Sequence, residues 1–170
     1  MKARLPLALL ALGAAACGDR APKEAAGGGL LAEQQAALPP SNPDPAANTF
    51  APALGVDLTK FRKTESGLYI RDDTVGTGAT AATGRPAQVH YTGYLANGSV
   101  FDSSEGKDPF PITPGETPVI DAWTEAVPGM RVGGVRTIVV PANLGYGQSG
   151  APGIPGNAVL VFRMKLASTQ

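Results

Sequence analysis

From about residue 54 onward the chain alternates apolar and polar positions in short runs. The clearest covers residues 89–104, VHYTGYLANGSVFDSS. With a period of two, Val89, Tyr91 and Gly93 fall on one side of an extended chain and His90, Thr92 and Tyr94 on the other. Asn97-Gly98 supplies a tight turn, because both residues tolerate positive φ, and Val100-Phe101-Asp102 lies on the returning strand. The pattern predicts a two-stranded ribbon with an aromatic ring on each arm and a carboxylate beside the second. Residues 67–70 read as an earlier strand, Gly76-Thr77-Gly78 and Gly84-Arg85-Pro86 as turns, and residues 105–111 as a polar loop. Residues 119–127 form the one convincing helix: Ile120, Trp123 and Val127 recur at three and four, and Pro128-Gly129 stops it. Residues 132–141 alternate as a strand, and 143–157 make a long Gly/Pro loop. Leu160, Phe162, Met164 and Leu166 line one face of a last strand, with Val161, Arg163 and Lys165 on the other. Several strands and one short helix predict an antiparallel α+β domain, with the helix packed on one sheet face.

Ahead of this domain the pattern changes twice. Residues 1–17 read as a targeting segment: Lys2 and Arg4 precede an apolar run over 5–16 that is too short to span a bilayer as a stable helix. Ala14-Ala15-Ala16 supplies small side chains next to a cut, and Cys17, the only cysteine, follows them. That arrangement resembles a bacterial lipobox with Ala14 in place of the usual Leu, which implies lipid attachment at Cys17. Ordinary cleavage after Ala16 is the alternative. Residues 18–53 read as a tether rich in Ala, Gly and Pro, with Gly27-Gly28-Gly29, Pro39-Pro40, Pro43, Pro45 and Pro52 breaking regular structure. A brief helix over 30–38 is too short to stand alone. About 35 flexible residues reach roughly 30–35 Å, enough to hold a domain clear of a membrane surface. The folded domain is thus expected over residues 54–170, an ordinary size for one domain.

Composition removes several function classes. Lys+Arg and Asp+Glu balance at 14 each, so net charge makes no case for nucleic acid. One cysteine excludes an intramolecular disulfide. The only histidine, His90, belongs on the face opposite Tyr91, which leaves a Ser-His-Asp site to coincidence, and without a second Cys there is no zinc set. Asp102, Glu105 and Asp108 do not follow calcium-loop spacing, and Gly76-Thr77-Gly78 lacks the third glycine of a dinucleotide loop. Neither a metal nor a cofactor is expected.

Taken singly, Tyr91, Phe101, Phe162 and Trp123 read as core, and Asp102 as an acceptor for backbone N–H groups in the following turn. Tyr146, in a Gly-rich loop, has no core role by default. Their order changes the reading. VHYTGYLANGSVFDSS, then PF, then VIDAW, then LGYG and GIPGNAVLVF resemble the FKBP-type peptidyl-prolyl cis-trans isomerases over residues 64–167. The resemblance implies a twisted antiparallel sheet wrapped around one short helix, with the active site between them. Motif by motif it places Asp102, Tyr146 and Phe101 as catalytic residues, and Tyr91, Phe110, Val119, Ile120, Trp123, Ile154 and Phe162 around the substrate. It further implies proline-containing polypeptides as substrates and macrolides of the tacrolimus type as inhibitors. With the lipobox-like start, the expected protein is a monomeric isomerase anchored in a bacterial cell envelope, acting on exported chains. A non-catalytic proline-peptide binding module or holdase chaperone is the alternative. Asp121-Ala122 before Trp123, where a basic residue or Pro followed by Gly is common, and Ala151, where many members carry a larger or polar residue, depart from the family pattern.

Overall fold

The structure, a computed structural model, describes residues 42–170. The targeting segment, Cys17, the brief helix at 30–38 and most of the expected tether lie outside the described residues. Seven strands form one antiparallel sheet: β1 (Arg62–Lys63), β2 (Tyr69–Thr74), β3 (Ala87–Leu95), β4 (Val100–Ser103), β5 (Phe110–Ile112), β6 (Val135–Val140) and β7 (Leu160–Thr169). Their order is β1-β2-β6-β7-β3-β4, and β5 also pairs with β3. The helix α1 (Asp121–Ala126) lies between β5 and β6 in sequence.

β7 is the middle of the sheet. It pairs with β6 from Val135↔Lys165 to Val140↔Leu160 and with β3 from Ala87↔Thr169 to Leu95↔Leu160. Its period of two sends Leu160, Phe162, Met164 and Leu166 to one face, where all four are buried with Leu68, Ile70, Val89, Ile138 and Val140. Ala122, Trp123, Ala126 and Val127 of the α1 region complete this core. Burial of these apolar surfaces is what holds a six-residue helix that would not persist alone. Arg136 adds a second restraint. Only 8% exposed, it donates through Nε and Nη2 to the Asp72 carboxylate (2.6 and 3.0 Å) and through Nη1 to the Ala126 carbonyl (2.6 Å). A cation at the helix C-terminus meets carbonyls that have no partner within the helix.

Several elements differ from the sequence expectation. The helix is shorter than 119–127: Ile120 is its extended N-cap (φ −61, ψ 146) and has no side-chain capping bond. The first strand extends past the apolar Tyr69-Ile70 into Arg71-Asp72-Asp73-Thr74, because there cross-strand bonds replace apolar packing: Asp72 pairs with Arg136, and Asp73 accepts from Thr137 Oγ1 (2.5 Å). Phe110–Ile112 is a strand rather than the end of a polar loop, with Val89 opposite Phe110 and Ala87 opposite Ile112. The β6 strand begins at Val135, after Gly133 turns the chain at φ +87.

The largest difference is at the expected tether boundary. Residues 42–53 are packed on the domain, with 3-10 turns at Pro45–Ala47 and Pro52–Leu54. The outer face of the sheet carries its own cluster, Leu54, Phe61, Tyr69, Val139, Val159 and Val161, against which Phe50, Ala51, Val56, Leu58 and Tyr94 pack. This explains why Val161 is buried although it lies on the strand face opposite Phe162. Arg71 fastens the chain that follows: its guanidinium sits 4.5 Å from the Phe61 ring centroid and donates to Gly55 O (3.1 Å).

Candidate active site

Between α1 and the inner face of the sheet lies a pocket of about 210 Å³ lined by Tyr91, Phe101, Asp102, Phe110, Pro118, Val119, Ile120, Trp123, Tyr146 and Phe162. Each strand brings its residue by simple alternation except β4. There the β3–β4 register shifts between Gly93↔Asp102 and Tyr94↔Val100, a bulge at Phe101. Strict period two would send Phe101 and Asp102 to opposite faces; the bulge lets both line the pocket.

Trp123 is the centre of the aromatic set. Tyr91, Phe162 and Phe110 stand nearly at right angles to it, with ring centroids 4.8, 5.6 and 5.7 Å away. Phe101 meets Phe162 edge-on at 5.5 Å. Such edge-to-face pairs are favoured and fix one another's orientation. The indole is 5% exposed, and its Nε1 has no hydrogen-bond partner among the described residues. Gly93 makes room for the rings: a Cβ there would lie 2.6 Å from Phe101 Cζ and 2.9 Å from Phe162 Cε1.

One wall is polar. The Tyr91 hydroxyl donates to Asp102 Oδ2 (2.5 Å), and the Ser103 amide donates to Asp102 Oδ1 (2.8 Å). Burial, the hydrogen bond to Asp102 and the negative charge of Asp102 hold the Tyr91 hydroxyl protonated well above the ordinary tyrosine range. Burial and the Asp102 charge push the Tyr146 hydroxyl up as well. Tyr146 is 39% exposed at the open side, and its hydroxyl makes no hydrogen bond with the described residues. Its loop is folded tightly on itself: Ala142 O accepts from the amides of Gly145 (3.1 Å) and Gly147 (2.8 Å), and a Cβ on Gly156 would lie 2.1 Å from Gln148 O. At the rim, Ile120 O accepts from the Trp123 amide (2.9 Å), while the Ile120 N–H makes no hydrogen bond with the described residues.

Nine of the ten residues expected at the site line this pocket. Ile154 does not. It is 3% exposed in the main core, where its backbone bonds both ways to Ala151 across Pro152-Gly153. Two lining features were not anticipated: Pro118, beside Val119 at the rim, and the space left by Gly93. A glycine inside a strand pattern is itself a sign of close approach by another group, and that signal was present in the sequence. Among the described residues no three His, Cys, Asp or Glu side chains come together as a metal site.

The sequence and fold have clear relatives. A family model described as FKBP-type peptidyl-prolyl cis-trans isomerase matches residues 78–167. Among curated proteins, "FK506-binding protein 4" of Emericella nidulans is 45% identical over 104 residues, which is 61% of this chain and 22% of that protein. A "Peptidyl-prolyl cis-trans isomerase" of Saccharomyces cerevisiae is 42% identical over 109 residues, 64% of this chain and 26% of that protein. The chain thus matches only about a quarter of the length of these curated relatives. Solved structures cover more. The crystal structure of AtFKBP13 matches with a TM-score of 0.60 and 35% identity, over 65% of this chain and 98% of that one. FkpA from Escherichia coli matches with a TM-score of 0.60 and 32% identity, over 65% of this chain and 52% of that one. The matched family segment holds every pocket-lining residue, and this chain belongs to the FKBP-type peptidyl-prolyl cis-trans isomerase family.

Proposed function

We propose that the chain accelerates cis-trans rotation about X–Pro peptide bonds in polypeptides, without covalent chemistry. The supporting observation is an apolar, aromatic pocket floored by Trp123 with a single carboxylate, Asp102, on its wall. Rotation about an amide meets a barrier of about 18–20 kcal/mol, because resonance gives the C–N bond partial double-bond character. At the twisted geometry that resonance is lost and the amide is less polar. A pocket poor in water therefore disfavours the planar form more than the twisted one, and catalysis follows from that difference. The proline ring would lie on Trp123 between Tyr91, Phe101 and Phe162. The unpaired Ile120 N–H and the Tyr146 hydroxyl would donate to substrate carbonyls on either side. Both Asp102 oxygens already accept hydrogen bonds, so the carboxylate acts by its charge and by holding Tyr91, not as a proton-transfer base.

The site of action is part of the same reading. The Lys2/Arg4 start, the short apolar run and the small residues before Cys17 support export and lipid attachment at Cys17, with the domain held outside the membrane as a monomer serving exported chains. Tacrolimus-type macrolides would compete for the aromatic pocket. A protease-free isomerisation assay on a Leu-Pro peptide tests the activity. The parent should accelerate the reaction strongly, with Asp102→Ala reduced about tenfold or more while folded, the factor expected when a charge-assisted bond of about 1.5–3 kcal/mol is lost in the transition state, and Phe101→Ala reduced through loss of an apolar wall of the pocket. A folded parent without activity would leave the pocket as a peptide-binding groove. Labelling with a fatty-acid analogue in bacterial cells, lost in Cys17→Ser, tests the anchor.

A further inference from the structure

Besides the Gly55 amide bond to Pro52 O that closes its own last turn, residues 42–54 make two backbone hydrogen bonds to the rest of the described residues, and each falls at the root of a segment that carries a pocket residue. The Ala51 amide donates to Ala96 O (2.8 Å) in the loop joining β3 to β4, ahead of Phe101 and Asp102. Ala51 Cβ also packs against that loop: a Cβ on Gly98 would lie 3.1 Å from it. At the other contact the Ala142 amide donates to Pro43 O (3.3 Å), and the Ala142 carbonyl accepts from the two glycine amides that bracket Tyr146. Between these points the segment is stiffened from within. Asn48 Nδ2 donates to the carbonyls of Asn42 (2.8 Å) and Asp44 (2.7 Å), Asp44 Oδ1 accepts from the Ala46 amide (2.9 Å), and Pro45 and Leu54 are buried. No hydrogen bond joins Tyr146 to Asp102 across the pocket, although both line it.

We propose that residues 43–51 are a spacer, strung across the far side of the sheet, that sets the separation of the Asp102 wall from the Tyr146 wall. Ala51, Asn48 and Pro43 are then positioning residues for the isomerase reaction, and the inference rests on that reading. A segment that merely covers the outer core would contribute stability alone. A spacer contributes to the rate, because misplacing catalytic groups by a fraction of an ångström is costly.

The test uses the full chain. Ala51→Pro removes the N–H with little backbone strain, since φ at Ala51 is −58, and puts the ring against Ala96 O. Asn48→Ala loosens the turn from a half-buried position and decides the matter if the first variant fails to fold. Lys60→Ala, whose ammonium among the described residues pairs with exposed Asp57, is the control just beyond the spacer. Both test variants are expected to lose about fivefold in kcat with KM within about twofold. Emission from Trp123, the one tryptophan of the chain and the floor of the pocket, should shift in both. Lys60→Ala should match the parent in every measure. An active parent with unchanged kcat and Trp123 emission in both test variants, whatever their melting temperatures, overturns the spacer alone. An inactive parent overturns the isomerase reading and the spacer with it.

Discussion

A methyl group added at Gly93 would meet Phe101 and Phe162 at distances no relaxed core contact adopts. Gly93→Ala is therefore expected to cost about 1–3 kcal/mol of stability through overpacking. It should also rotate the two rings into the pocket, so that KM for a proline peptide rises. Chemical denaturation and steady-state kinetics on the same preparation check both. Tyr91 gives a second expectation. Its hydroxyl is held protonated in the folded state, first by burial and then by Asp102. Up to the ordinary tyrosine pKa of about 10 both folded and unfolded states keep the proton. Above it the unfolded state releases the proton while the folded state retains it, so this contribution to stability is lost as pH rises through the alkaline range. Thermal melts between neutral and strongly alkaline pH should show that decline, and Asp102→Asn should make Tyr91 ionise at lower pH in an ultraviolet titration. At this scale the sequence was informative where side-chain chemistry and order carried the signal: Tyr91, Trp123 and Tyr146 stand where the motif blocks placed them. Ile154 lies in the main core and not on the pocket lining, a distinction that a Gly/Pro loop, having no period, does not signal. The joint placement of Phe101 and Asp102 depends on a bulge, which hydrophobic alternation does not encode.

Elements with a clean period were legible, and those held by long-range polar bonds were not. β3 and β7 follow their alternation along most of their length, because one face of each is buried against the helix. β2 continues through four polar residues because Arg136 and Thr137 on the neighbouring strand supply partners for Asp72 and Asp73. Those pairs are 64 residues apart and invisible to any local window. β5 is three residues long with a proline at its centre, and only pairing with β3 makes it a strand. The same Arg136 also sets the helix, so Arg136→Leu should do more than remove an ion pair. It strands the Ala126 carbonyl and the Asp72 carboxylate, and a cost of about 2–3 kcal/mol is expected for the broken charge-assisted bonds. Because α1 carries Trp123, the variant should lower activity in proportion to the loosening of the helix. Hydrogen exchange at the α1 amides, compared with those of β7, separates that local effect from global destabilisation.

At the scale of the molecule, composition assigned residues 42–53 to a tether, whereas they pack on the domain. A stretch rich in Ala, Pro and Asn has too few apolar residues to look folded, and Phe50 and Leu54 pack only because the outer face of the sheet offers Val139, Val159 and Val161 to cover. The position of β7 has a consequence of another kind. It is the hub of the sheet and the last of the seven strands in sequence order. Until it arrives, β3 and β6 have no neighbour between them, and each presents an unpaired row of amides and carbonyls. A version ending at residue 159 should therefore give the far-ultraviolet circular dichroism of an unfolded chain rather than of a smaller domain. During synthesis the sheet stays open until β7 is available, and it closes in one late step. Delay in closing the sheet is thus built into the order of its strands.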